Sequence, residues 1–90
     1  MGGERQYRQD ARLPSQEISG QSVVVVPSKS EMHLLDEVGT FLWLELRRPR
    51  SAKDLVVRVR EEFEVGLEQA ERDVDAFLET LMEKGLVIAE

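Results

Sequence analysis

Ser22-Val23-Val24-Val25-Val26-Pro27-Ser28-Lys29-Ser30-Glu31-Met32-His33-Leu34-Leu35-Asp36-Glu37-Val38 is the stretch in which the chain changes its period. Four consecutive valines between turn residues read as a strand with both faces partly covered. Pro27-Ser28-Lys29-Ser30 has turn chemistry. Glu31 to Leu35 reads as a second strand, with Met32 and Leu34 on one face and Glu31, His33 and Leu35 on the other. At Asp36 the pattern becomes helical. The Asp36 carboxylate suits an N-cap, and Glu37 places an anion where the helix dipole favours one.

Upstream, Gln16–Ile18 reads as a further short strand, joined to the valine run by the turn Ser19-Gly20-Gln21. The three strands make an antiparallel meander. Met1 to Pro14 is polar and without period, so residues 1–14 read as a flexible tail and residues 15–90 as the domain.

Downstream, Val38, Phe41, Leu42 and Leu46 mark one face of a first helix, which Arg47-Arg48-Pro49-Arg50 ends. Ser51 and Asp54 have capping-box spacing, and Leu55, Val56, Val59 and Phe63 line a second helix. After a loop containing Gly66, Ala70, Val74, Phe77, Leu78 and Leu81 form the apolar stripe of a third. Gly85 and Leu86 suit its C-terminal cap. Leu86-Val87-Ile88 can close the chain as a short strand. Three strands followed by three helices predict an α+β domain, winged-helix-like, with its three-stranded antiparallel sheet at the front.

Ninety residues allow one modest core and little room for a cleft between lobes. Cysteine is absent and His33 is the single histidine. Disulfides, thiolate metal sites and paired-histidine sites are thereby excluded, and no metal or cofactor is expected. Lack of cysteine fits a reducing compartment, and the expected location is cytoplasmic. No apolar run is long enough to span a bilayer, and the start does not read as a signal peptide, so no membrane partner is expected.

The glycines lack phosphate-loop spacing, and the serines sit in turns without a base partner. An enzyme is therefore not expected. His33 reads as an ordinary strand side chain and Trp43 as a packing residue. The net charge is -6, with the acidic residues concentrated after Arg60. The third helix carries Glu68, Glu71, Asp73, Asp75, Glu79 and Glu83, which would repel phosphate, so nucleic acid is not an expected partner.

Leu34-Leu35-Asp36-Glu37-Val38-Gly39, Phe41-Leu42-Trp43-Leu44, Leu55 with Phe63, and Asp73-Val74-x-x-Phe77-Leu78-x-x-Leu81-x-x-x-Gly85-Leu86-Val87 stand in an order and spacing that resembles the PqqD family. These are the small peptide chaperones of pyrroloquinoline quinone biosynthesis and their relatives in other modified-peptide pathways. Asp36 stands where the family often has Asn, and Arg47 to Arg50 where it often has a short Asp-Gly turn. The resemblance implies a RiPP recognition element, a domain that binds the leader of a ribosomally made precursor peptide and presents it to a modifying enzyme, often a radical SAM enzyme. It also implies that the leader adds as a strand beside the third strand and lies against the third helix.

The residues allow that mode. Glu31, Met32, His33, Leu34 and Leu35 would form an edge strand without proline, its backbone groups free for strand addition. On that reading, proline in place of His33 is the substitution that blocks addition. Helical geometry puts Asp73, Ala76, Thr80 and Lys84 along one flank of the core stripe beside Phe77, and small Ala76 and Thr80 leave room for a peptide side chain. The other flank, Glu71, Asp75 and Met82, is the alternative wall. Two rival readings stay open: an interaction domain that docks a folded protein on its acidic third helix, and a homodimer formed through the free edge.

Overall fold

The computed structural model describes residues 5–90. Its strands are β1 (Gln6–Gln9), β2 (Ser15–Ile18), β3 (Gln21–Val26), β4 (Glu31–Leu34), β5 (Arg50–Ser51) and β6 (Val87–Ala89). Its helices are α1 (Glu37–Glu45), α2 (Ala52–Phe63) and α3 (Leu67–Glu83). The fold is α+β, as the pattern predicts, but it holds two three-stranded antiparallel sheets where one was expected. One has the order β2-β3-β4 and the other β5-β1-β6.

The first sheet is the meander. Ser19 and Gly20 both have positive φ, which makes a tight two-residue hairpin turn whose twist matches its strands. A single 3-10 turn at Pro27–Lys29 leads into β4. Ser22, Val24 and Val26 face the core, and Val23 and Val25 face outward half-buried.

The second sheet corrects the reading of the N-terminal segment. Met1 to Glu4 lie outside the described residues, but Gln6–Gln9 is no tail. It is the central strand between β5 and β6, with Tyr7 opposite both Arg50 and Ala89. The Gln9 amide donates to the Leu46 carbonyl at 2.8 Å, and the Asp10 amide to that of Leu86 at 3.0 Å. Gln-Tyr-Arg-Gln carries no apolar alternation because its order comes from backbone pairing with the far end of the chain and from Tyr7 against the core. Asp10 is buried and accepts from the Arg12 amide and guanidinium at 2.9–3.0 Å. Those hydrogen bonds hold its carboxyl down to about 2.

The helix signals are where the sequence puts them. Asp36 Oδ1 accepts from the Gly39 amide at 2.7 Å. Ser51 and Asp54 close a reciprocal capping box at 3.0 and 3.2 Å. Gly85, with φ of 77°, ends α3. Its amide donates to the Met82 carbonyl at 3.1 Å and the Leu86 amide to that of Leu81 at 2.8 Å, the paired bonds of a Schellman cap. Trp43 is fully buried, as expected, in one core cluster with Leu42, Leu46, Leu55, Val59, Val74 and Leu86. Its Nε1 donates to Ser15 Oγ at 3.3 Å.

Candidate peptide-binding groove

Strands β2 and β4 are the two edges of the first sheet, and β4 is the one that leads toward α1 and α3. Its register on β3 sets which backbone groups are open. The Leu35 amide donates to the Ser22 carbonyl at 2.9 Å, whereas the Val25 amide turns away from β4 and donates to the Pro14 carbonyl at 2.9 Å. In an antiparallel ladder, bonded and non-bonded pairs alternate. His33 opposite Val24 and Glu31 opposite Val26 therefore bond to β3, while Met32 opposite Val25 and Leu34 opposite Val23 do not. Met32 and Leu34 present their N–H and C=O groups to the open edge. The expectation that every donor of the strand is available is corrected: the His33 amide belongs to the sheet.

Side chains alternate as read. Leu35 is buried and His33 half-buried on the core side, and Met32 and Leu34 are exposed on the other. His33 Nε2 lies 3.2 Å from Glu31 Oε1 on the strand's own surface.

Beyond Leu34 the chain turns into α1, and a groove of about 370 Å³ opens between this corner and α3. Leu34, Leu35, Val38 and Leu42 form one wall, with Asp73, Ala76, Phe77, Thr80 and Leu81 opposite. Its size falls at the low end of small ligand pockets, roughly 300–1,000 Å³, which suits a few side chains. Its floor holds Gly39, where an added Cβ would stand 3.1 Å from Asp36 Oδ1 and 3.4 Å from Leu35 Cβ. Asp36 and Asp73 are the charged residues of the lining. Asp73 Oδ1 accepts from Gln69 Nε2 at 2.7 Å.

Of the residues singled out in the sequence, Leu34, Leu35, Asp73, Ala76, Phe77 and Thr80 meet in this groove. Glu31, Met32 and His33 stand along the edge strand that leads into it. Lys84 does not line it: it is the exposed C-cap residue of α3, its amide bonded to the Thr80 carbonyl at 3.1 Å. Asp36, Val38, Gly39 and Leu42 line the groove as well, although the sequence presents Asp36 as a helix cap and Val38 and Leu42 as the apolar face of the first helix. The signal was present, because Leu35, Val38, Gly39 and Leu42 have the i, i+3, i+4, i+7 spacing of one helical stripe.

The alternative flank of α3 also borders a depression. Glu71 and Asp75 face α2 there, across Val56, Val57 and Leu67, with Lys53 and Arg60 on the far side. No residue of β4 takes part. Edge strand and groove are continuous on the Ala76/Thr80 flank.

Residues 21–87 match the family described as Coenzyme PQQ synthesis protein D (PqqD). The chain belongs to the PqqD family. Among solved structures, TbiB1 in complex with the TbiA(beta) leader peptide is similar at a TM-score of 0.80 and 25% identity, over 89% of this chain and 93% of that one. No curated protein matches. Strands β3 and β4 and helix α3 fall within the matched residues, and β1 and β2 lie outside them.

Proposed function

We propose that this PqqD-family domain is a leader-peptide chaperone. It takes the leader of a ribosomally made precursor as an added strand along β4, seats leader side chains in the groove against α3, and presents the precursor to a modifying enzyme, of the radical SAM type in many relatives. It carries out no chemistry itself and works in the cytoplasm. The observation that carries this reading is the open edge of Met32 and Leu34 running directly into an apolar groove. The leader peptide held by TbiB1 supports it.

Magnitudes say which contacts must dominate. Met32 and Leu34 offer two donors and two acceptors, together worth about 2–6 kcal/mol net. Ordering a disordered peptide costs about 2–5 kcal/mol. Micromolar affinity needs about 8 kcal/mol, so apolar leader side chains in the groove must supply most of it. The leader therefore has at least two apolar or aromatic anchors at alternating spacing.

An amide NMR titration with the leader half of the nearest small open reading frame's product tests the reading. Saturable shifts should centre on Met32, Leu34 and the Asp73–Thr80 segment. Shifts confined to exposed acidic positions such as Glu68, Glu71 and Glu79, lost at high salt, would instead support a folded partner on the acidic helix.

A further inference from the structure

The meander has a second face. Strand register sets Gln16, Val23 and Leu34 in one outward row, Val25 and Met32 in the next, and Ile18 beside Gln21. Among the described residues the exposed large hydrophobics are Ile18 (53%), Met32 (71%), Leu34 (64%), Val57 and Leu67. Three of the five therefore stand on this one face, joined by half-buried Val23 and Val25. That is a patch, and a patch marks a contact surface. Its rows hold no charged side chain. By alternation Glu17 and Glu31 lie on the opposite face, opposite Ser22 and Val26.

The patch is continuous with the groove, because Leu34 belongs to both. A strand added at β4 is pleated like β4 itself, so every second side chain of a bound leader lies outward, level with Met32 and Leu34. Loading the domain widens this face by one strand. A second copy is a poor occupant, because a chain of net charge -6 repels itself.

We propose that the outward face of the meander, completed by the bound leader, is the docking surface for the modifying enzyme, which meets it with an apolar, uncharged surface. This inference rests on the leader-binding reading. The enzyme then recognises the loaded domain in preference to the empty one, and the contact depends weakly on salt.

The test uses the leader half of the nearest small open reading frame's product and the purified enzyme of the neighbouring gene, with domain variants Ile18→Lys and Val25→Gln. Neither position lines the groove or offers backbone to the open edge. Folding is checked by thermal melting, and exposed Ile18 tolerates lysine if the central-strand variant does not fold. Leader affinity is read first by fluorescence anisotropy, and enzyme docking next by biolayer interferometry with and without leader. Both variants should hold leader within about twofold of the wild type. Loaded wild-type domain should dock about tenfold more tightly than empty domain, and the variants should lose about that factor.

Variants that dock like the wild type overturn the inference. So does equal docking of loaded and empty domain. A wild-type dimer that Ile18→Lys turns into a monomer would assign the face to a second copy. Failure of the wild type to bind leader, seen before enzyme is added, overturns the leader reading itself.

Discussion

The hydroxyl of Thr40 takes the place of a backbone rung beside Ser22. Its Oγ1 accepts from the Ser22 amide at 2.7 Å and lies 3.4 Å from the Leu35 carbonyl, to which it donates. The other half of the rung, from the Leu35 amide to the Ser22 carbonyl, is direct. One side chain from the first turn of α1 thus ends the β3–β4 ladder and starts the corner from which the groove opens. Thr40→Val keeps the shape and leaves a buried N–H without an acceptor, which costs about 1–3 kcal/mol. Urea unfolding should show that loss, together with weaker leader binding, because Leu35 is the wall that is released. Thr40→Ser should restore most of both.

Asp10 gives the fold an acid limb. Its folded carboxyl titrates near 2, below the ordinary 3.8, because Arg12 donates to it from side chain and backbone. A carboxyl held lower in the folded state stabilises the fold above its unfolded value and stops doing so as pH falls through its folded one. The contribution is therefore full near neutrality and is lost between about 3.8 and about 2. Asp10→Asn should lower the melting temperature near neutral pH, and the gap to the wild type should close across that window. A gap that stays constant with pH would assign the effect to packing.

What the sequence makes legible is local. Asp36 with Gly39, Ser51 with Asp54, and Gly85 with Leu86 are contacts within a few residues, and their chemistry is written beside them. What it hides is set by distant pairing. Gln6–Gln9 becomes a strand because Val87–Ala89 and Arg50–Ser51 come to it, and nothing in Gln-Tyr-Arg-Gln shows that. The groove lies between these cases. Ala76 and Thr80 are visible as small residues beside a stripe, whereas Gly39 becomes groove floor only when Phe77 arrives across from it, with a ring carbon 3.9 Å from where a Cβ would stand. The backbone phase of β4 is hidden too: alternation tells which side chains share a face, and only the register on β3 tells which amides are open.

Gly39→Ala separates stability from binding. Alanine in place of a helical glycine gains up to about 1 kcal/mol. The new methyl stands 3.1 Å from Asp36 Oδ1, so the cap must give by a few tenths of an ångström. Losing a cap costs about 0.5–2 kcal/mol, and the two effects nearly cancel. Unfolding free energy should stay within about 1 kcal/mol of the wild type. The methyl also narrows the groove floor, so leader affinity should fall several-fold while the melting temperature barely moves. Unchanged leader affinity in a folded variant would place the leader elsewhere.

Met32 and His33 are neighbours with opposite backbone duties, and proline distinguishes them. The His33 amide faces Val24 within the sheet, so His33→Pro removes a ladder bond and pushes its ring against β3. That variant should lose stability by several degrees of melting temperature, and any loss of leader binding would be secondary. The Met32 amide faces the open edge and its side chain is exposed. Met32→Pro keeps the β3–β4 bonds, since proline is tolerated on an edge strand whose N–H side is free. It removes one donor to the leader and sets a ring where the leader backbone must approach. Leader affinity should fall at least tenfold, with a near-native melting temperature and amide spectrum. If Met32→Pro bound leader normally while His33→Pro stayed folded and did not, the hydrogen-bond phase assigned to β4 would be inverted.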